Sequence, residues 1–102
     1  MERVILWTDT AKNSFNDNIA YLLEDWTQKE IENFIDKTDS AIENLRYHPY
    51  IGKPVSGYSD YRNILIVPQI SLIYRVVNTY EILLITFFNN YQNPYKLEIL
   101  LS

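Results

Sequence analysis

The feature that most constrains the fold is a series of three closely spaced apolar runs in the C-terminal half of the chain. Each run is rich in β-branched and aromatic residues, as β-strands are, and short turn-forming segments separate the runs. We expect strands at approximately Tyr58–Val67, Ile70–Asn78 and Tyr80–Phe88, with turns at Pro68-Gln69 and Asn78-Thr79. Connections this short join only antiparallel neighbours, so the runs predict an antiparallel meander.

The N-terminal half predicts one strand followed by two helices. Val4–Trp7 is a short apolar run bounded by polar residues, which is typical of a buried strand. Apolar residues with helical spacing follow to about Asp25, and the segment from Thr27 to Glu30 matches a capping box that begins a second helix. The joint between the helices is only a few residues long, so we expect an antiparallel helical hairpin.

Turn-forming residues end the second helix and the last strand. Pro49 and Gly52 stop the helix, and Lys53–Gly57 is expected to be a loop. Asn93-Pro94 is expected to end regular structure. The predicted order is therefore β-α-α-β-β-β in a single domain over residues 1–102. The predicted fold class is α+β, with an antiparallel helical hairpin packed on one face of a small antiparallel sheet.

Charge and composition narrow the function. The chain has 13 acidic and nine basic residues and a net charge of −4, which counts against an autonomous nucleic-acid binder. Most acidic residues lie between Asp9 and Glu43, so any anion site is expected in the sheet half. With no cysteine and one histidine, we expect no metal site and no cofactor. The longest strongly apolar run is Ile82–Phe88 and no signal-peptide pattern is seen, so we expect a cytoplasmic protein without a membrane partner.

Two arginines on adjacent predicted strands are the sharpest functional clue. If the first hairpin has a two-residue loop, Arg62 faces Arg75 across it. Like charges directly opposite each other destabilise a sheet, so we interpret this pair as held for an anionic partner. The alternative is that each arginine pairs with a surface acid such as Asp60 or Glu81.

The alternation of side chains along each strand sorts the sheet residues into two faces. The face expected to pack against the helices contains Leu65, Val67, Leu72, Tyr74, Val76, Leu83, Ile85 and Phe87. The opposite face is expected to contain Arg62, Ile64, Ile66, Ser71, Ile73, Arg75, Val77, Thr86 and Phe88. This second face mixes apolar and basic side chains, a composition that marks a partner surface when it is uncovered.

A set of short motifs covers nearly the whole chain in a fixed order. It consists of Trp7-Thr8 before the helical hairpin, Leu45, Pro49 and Gly52 after it, then Tyr61-Arg62, Leu72–Val76 and the tail Phe88–Lys96. In this order the motifs resemble the RelE/ParE superfamily of toxins from bacterial type II toxin–antitoxin modules. The resemblance implies a growth-inhibiting protein neutralised by an antitoxin encoded beside it, whose helix and extended tail wrap the toxin.

The superfamily has two branches with different targets. The resemblance implies that a RelE-like member cuts mRNA on the ribosome with a cluster of basic residues on the open sheet face. A ParE-like member inhibits DNA gyrase and is not a nuclease. Basic positions of the mRNA-cutting pattern carry Ile64, Ser71 and Asn90 here, and arginine is a poor general base. These departures favour the ParE-like branch.

The predicted target- or phosphate-binding residues are Lys53, Arg62, Arg75, Asn90 and Tyr91. If the protein is instead a ribosome-dependent, metal-independent endoribonuclease, Arg62 and Arg75 are expected to stabilise phosphate and Tyr91 to position or protonate it. A third reading is a degenerate, non-toxic member that persists as an antitoxin-binding module. The expected partners are a cognate antitoxin and either DNA gyrase or the ribosome with its mRNA.

Overall fold

A computed structural model describes residues 2–91 and 94–101 of the chain. These residues form one five-stranded sheet and three helices. In chain order the elements are β1 (Val4–Trp7), α1 (Asp9–Leu22), α2 (Gln28–Tyr47), β2 (Lys53–Val55), β3 (Tyr58–Val67), β4 (Ile70–Val76), β5 (Glu81–Asn89) and α3 (Pro94–Leu101). The predicted α+β architecture is confirmed, with α1 and α2 packed on one face of the sheet.

The structure contains two elements that the sequence did not predict. β2 forms where a loop was expected, as a three-residue edge strand that tolerates Pro54 because an edge strand leaves one side of its backbone unpaired. α3 begins at Pro94, where regular structure was expected to end. Proline is accepted at the first position of a helix, since its missing N–H would have no partner there.

Side-chain capping begins both long helices, and the cap of the second is the one that the sequence predicts. Thr8 precedes α1 with extended backbone, and its hydroxyl accepts a 3.0 Å hydrogen bond from Ala11 N–H. The capping box of α2 is complete, because Thr27 Oγ1 accepts from Glu30 N–H and Glu30 Oε1 accepts from Thr27 N–H. α1 ends at Leu22, slightly earlier than predicted.

Among the helices in the described ranges, none is long and apolar enough to cross a membrane.

The sheet is mixed, with strand order β1-β5-β4-β3-β2. β2 to β5 each pair antiparallel with their neighbours in sequence, which confirms the predicted meander. β1 pairs in parallel with β5. The helical hairpin carries the chain from the β1 edge of the sheet to the opposite edge, where β2 begins.

A β-bulge close to the first hairpin turn shifts the register of β3. Val67 faces Ile70, but the next pair joins Leu65 to Ser71, so Ile66 is an extra residue on β3. Every β3 residue before the bulge therefore faces the side opposite to the one predicted from uninterrupted alternation. Leu65 shows the consequence, because it is 61% exposed instead of buried against the helices.

A second bulge shifts the register of β5. Ile73 pairs with Thr86 and Tyr74 pairs with Leu84, which leaves Ile85 as the extra residue. β5 residues after the bulge keep their predicted faces, whereas those before it exchange faces, so Leu84 is buried in the core. The predicted core positions that the structure places on the other side or at a bulge are Leu65, Leu83 and Ile85.

The two long helices bury one face of the sheet around an aromatic cluster. Trp7 stacks on Phe87 with ring centroids 5.5 Å apart, and Phe15 meets Phe87 edge-on at 5.1 Å. Phe34 is fully buried and stacks on Phe15 at 5.5 Å. These contacts join β1, α1, α2 and β5 into one core.

Side chains of Thr8 and of α1 satisfy the backbone of β5 beyond the end of β1. β1 stops opposite Leu84, and Thr8 Oγ1 donates to Leu84 O at 2.8 Å. Ser14 Oγ accepts from Phe87 N–H and Asn18 Nδ2 donates to Phe87 O, both at 2.9 Å. These bonds replace the ones that a longer β1 would make, so they close this part of the sheet edge to another strand.

Asn18→Ala is expected to lower the free energy of unfolding by about 1–3 kcal/mol, because the Phe87 carbonyl loses its partner in a buried position. Asn16→Ala is the matched control, since Asn16 is exposed on the same helix and the substitution has the same helix propensity. The control is expected to change the stability by less than about 0.5 kcal/mol. Urea unfolding measures both values, and equal stability of the two variants would contradict the assigned hydrogen bond.

Candidate functional site

The outer face of the sheet is the side opposite to α1 and α2. The strand register assigns to it Val4, Leu6, Lys53, Tyr61, Asn63, Leu65, Ser71, Ile73, Arg75, Glu81, Leu83, Thr86 and Phe88. The predicted mixture of apolar and basic side chains is present on this face, although Arg62 and Ile64, which were predicted there, lie on the helix side. The two cations of the outer face are Lys53 and Arg75.

Arg75 is exposed on β4, between Tyr61 of β3 and Leu83 of β5. The alternative considered from the sequence was an ion pair with Asp60 or Glu81. Among the residues that the structure describes, Arg75 forms no ion pair. Its guanidinium group is therefore free to contact an external anion or a partner protein.

Arg62 lies on the helix side of the sheet, so the prediction that it faces Arg75 is wrong. The bulge on β3 pairs it with Tyr74 instead. One guanidinium nitrogen of Arg62 donates to Gly52 O at 2.7 Å and to Tyr50 O at 3.2 Å. The guanidinium carbon also lies 4.9 Å from the centroid of the Tyr50 ring. These contacts hold the loop between α2 and β2 against the sheet.

The buried phenol of Tyr74 holds the same loop. Its hydroxyl accepts from Gly52 N–H and donates to Pro49 O, both at 2.9 Å. Gly52 has no room for a side chain, because a Cβ would lie 2.7 Å from the Tyr74 hydroxyl and 2.9 Å from Asn63 O. Burial raises the pKa of the Tyr74 phenol and outweighs the lowering by the Gly52 hydrogen bond and the Arg62 charge. We call the contacts of Arg62 and Tyr74 with this loop the loop anchor.

Sequence reasoning places Tyr74 in the core but misses the loop anchor. A signal was present, because Tyr74 is the one residue of the predicted core face that carries a hydroxyl. A buried phenol usually needs a hydrogen-bond partner. The partner could not be named, since the loop that supplies it is distant in the sequence.

The side chain of Asn90 bonds within the protein. Its Oδ1 accepts from Ser71 Oγ at 3.0 Å, and its Nδ2 donates to Pro68 O at 3.1 Å. The backbone N–H of Asn90 donates to Gln69 O at 2.7 Å. The end of β5 is thereby fastened to the turn between β3 and β4, and the polar groups of Asn90 and Ser71 are engaged with each other.

The remaining two predicted site residues are exposed. Lys53 lies on the edge strand β2 opposite Asn63, and β3 separates it from the strand that carries Arg75. Tyr91 follows the end of β5 and is 78% exposed, and its N–H donates to Asn89 Oδ1 at 2.9 Å. The structure therefore does not gather the five predicted residues at one point of the sheet.

Comparison with known proteins identifies the family. Residues 5–90 match the model of the ParE toxin of the type II toxin–antitoxin system parDE. The chain belongs to the ParE toxin family. Toxins of this family pair with an antitoxin. No curated protein matches the chain.

Solved structures share the fold of this ParE-family toxin. The YoeB/ParE toxin from Agrobacterium tumefaciens matches with a TM-score of 0.63 and 18% sequence identity, over 89% of this chain and 100% of that chain. The chromosomal ParDE TA system from P. aeruginosa matches with a TM-score of 0.69 and 12% identity, over 86% of this chain and 96% of that chain. At these identities the likeness shows a common fold and does not identify a common target.

Arg62→Ala is expected to lower the free energy of unfolding by about 1.5–3 kcal/mol, because it removes charge-assisted hydrogen bonds to two loop carbonyls. Arg75→Ala is the matched control on the neighbouring strand. It is expected to change the stability by less than about 0.5 kcal/mol, since its side chain is exposed. Urea unfolding of both variants tests this difference, and similar losses would contradict the placement of the two arginines on opposite sides.

Tyr74→Phe is expected to lower the free energy of unfolding by about 1–3 kcal/mol at pH 7, because Gly52 N–H and Pro49 O lose their partner. The pKa of the phenol is raised in the folded protein, so its contribution is complete below the unfolded pKa of about 10 and is lost as the pH rises through the folded pKa. The stability difference between the two proteins should therefore narrow above about pH 10.

Urea unfolding at pH 7 and at several values above pH 10 measures this difference. Tyr80→Phe is the control, because Tyr80 is 60% exposed, and it is expected to leave the stability nearly unchanged throughout. A difference for Tyr74→Phe that widens above pH 10 would be inconsistent with a raised pKa.

Proposed function

We propose that this ParE-family toxin inhibits growth by binding DNA gyrase and that a cognate antitoxin neutralises it. The observation that carries the proposal is the separation of the two arginines. Arg62 is engaged in the loop anchor, whereas Arg75 is exposed on the outer face. The target class is the one that the ParE-like branch of the resemblance implies.

The outer face has the composition of a protein-binding surface. Arg75 is flanked by Tyr61 and Leu83, and arginine and aromatic residues are enriched at the centres of protein interfaces. Leu65 is 61% exposed and Leu6 is 38% exposed on the same face. We assign target contact to Arg75 and Lys53, and a supporting role to Arg62, which acts through the loop anchor.

The geometry disfavours RNA cleavage by the residues predicted for it. Cleavage needs a proton acceptor, a proton donor and a cation close to the same phosphate. Arg75 pairs with Leu83, and β5 extends from there for about 20 Å, at about 3.3 Å per residue, to its end at Asn89, two residues before Tyr91. Glu81, the carboxylate of the outer face, begins β5 and accepts a hydrogen bond from Asn78 at 3.2 Å. These groups do not converge, and Arg62 points to the other side of the sheet.

Pulse-labelling of new DNA and new protein, just after induction of this chain alone in bacteria, tests the target class. DNA synthesis is expected to fall first. If protein synthesis collapses first, mRNA cleavage replaces the proposal. No effect on either process, with folded protein present, would identify a non-toxic module that retains only antitoxin binding.

Arg75→Ala is expected to raise the concentration of purified toxin that half-inhibits gyrase supercoiling by at least about tenfold, as loss of an interface hot-spot arginine does. Lys12→Ala is the matched control, because Lys12 is an exposed cation on α1 rather than on the outer face. It is expected to inhibit as the unchanged protein does. Full inhibition by a folded Arg75→Ala variant would refute the role of the outer face.

Tyr91→Phe separates binding from cleavage. If the protein acts by binding gyrase, removal of the Tyr91 hydroxyl is expected to change toxicity less than about threefold. If the protein cuts mRNA with Tyr91 as proton donor, the rate is expected to fall by about 100-fold or more. Growth arrest by the two proteins, induced to equal levels, supplies the comparison.

A further inference from the structure

The sheet has two edge strands, and they differ in how well they are protected from pairing with another chain. β2 contains Lys53 and Pro54, and a charge or a proline on an edge strand discourages such pairing. β1, at the other edge, consists of Val4–Trp7 and contains neither. Beyond β1, Thr8 and side chains of α1 bond to the backbone of β5 and close that part of the edge. The unprotected edge is therefore β1.

The backbone of β1 has unpaired groups on the side away from β5. N–H groups alternate in direction along a strand, and Val4 N–H donates to Tyr80 O on the β5 side at 2.8 Å. The N–H and C=O groups of Ile5 and Trp7 consequently point outward, to the edge of the sheet. Among the residues that the structure describes, none bonds to these outward groups. β1 thus has two residues whose backbone can pair with a further strand.

The side chains of β1 on the outer face are apolar and exposed. Val4 is 54% exposed and Leu6 is 38% exposed, whereas Ile5 and Trp7 pack against the core on the other side. An edge strand that combines exposed apolar side chains with unpaired backbone groups is a template for another strand. We therefore expect a partner strand to cover β1.

We propose that two copies of this chain pair through their β1 strands and join their five-stranded sheets into one. Two identical edges related by a two-fold axis run antiparallel. In the register that uses the unpaired groups, Ile5 of each copy faces Trp7 of the other, and the two residues exchange their N–H···O bonds. Leu6 then faces Leu6 of the second copy across the axis. This inference goes beyond the proposed function and does not depend on it, because it concerns the toxin alone.

Arg3 determines why the pairing is centred on Leu6. Its N–H also points away from β5, but it donates to Arg46 O at 3.2 Å, so α2 occupies the edge at this position. A register centred on Ile5 would pair Arg3 with Trp7 of the second copy and would displace α2. The register centred on Leu6 leaves this contact intact.

The charges at and beside β1 suit a second copy of the same strand. β1 carries no charge, so pairing two copies brings no like charges together. The same register brings Arg3 of one copy level with Asp9 of the other, which is exposed in the first turn of α1. Opposite charges therefore meet at both ends of the paired strands. Between them, Val4 and Leu6 of both copies form one apolar patch across the axis.

The pairing would align the two target-binding faces. Leu6 pairs with Leu83, and Leu83 pairs with Arg75, so these three residues form one row across the sheet. The row continues through Leu6 into the second copy and ends at its Arg75. Five strand spacings of about 4.8 Å place the two Arg75 positions about 24 Å apart. The dimer would thus present two equivalent arginines on one continuous outer face.

Single cysteines test the contact directly, because the chain has no cysteine of its own. Leu6→Cys is expected to form an intermolecular disulfide under mild oxidation, since facing residues of this kind have Cα atoms about 4.5 Å apart. Val4→Cys is the matched control on the same strand and face. Val4 is more exposed than Leu6 but lies about 13 Å from Val4 of the second copy, four residues along the strand, and is expected not to cross-link.

Non-reducing electrophoresis measures the cross-linked fraction of both variants. Cross-linking of Leu6→Cys alone supports the proposed register. Equal cross-linking of the two variants, or none by Leu6→Cys, would overturn the proposal.

Sedimentation equilibrium of the purified, unchanged protein is expected to show a reversible dimer. Leu6→Lys is expected to raise the dimer Kd by at least about tenfold, because it places two like charges opposite each other at the axis. Leu65→Lys is the matched control. Leu65 is 61% exposed on the same face but lies on β3, away from the paired edge, so its substitution is expected to leave the Kd unchanged.

A monomer at every concentration would overturn the proposal and leave β1 for a strand of a different protein. A dimer that Leu6→Lys does not weaken would place the interface elsewhere and overturn it equally. Circular dichroism checks that Leu6→Lys is folded, and if it is not, the two cysteine variants decide. Because these measurements use the toxin alone, their failure would leave the proposed target and neutralisation standing.

Discussion

Hydrogen bonding of the β5 backbone is the interaction on which the rest of the structure depends. β4 pairs along its whole length on one side, and β1 pairs with its first half on the other. α1 completes the second side through Ser14 and Asn18, because β1 is too short to reach Phe87. These hydrogen bonds hold α1 beside the sheet. Phe15 of α1 contacts Phe87 of β5 and Trp7 of β1, so the aromatic core forms against the same part of the sheet.

The bulges decide which chemistry the outer face can perform. Without the extra residue Ile66, the register would place Arg62 opposite Arg75 on the same face of the sheet. With it, Arg62 turns to the helix side and supports the loop after α2. The buried Tyr74 hydroxyl adds to this support, so one arginine contributes to stability and the other is left for a partner.

Much of the fold could be predicted from local sequence. The capping box at Thr27, the turn residues and the β-branched runs determined the order of the helices and the meander strands, because each acts within a few residues of its own position. The candidate site was less predictable. Arg75 was placed on the outer face, but Arg62 was placed there wrongly, and the atoms that pair with Tyr74 and Asn90 were not foreseen.

The sequence by itself determined the first strand, the two long helices and the three strands of the meander, and that the protein resembles toxins of this superfamily. Only the tertiary structure decided which side of the sheet each arginine occupies, that β1 joins β5 in parallel, and that β2 and α3 form. The physical reason is that the position of a bulge depends on how the helices pack on the sheet, and local sequence preferences do not specify that packing. Period-two alternation therefore holds only as far as the nearest bulge.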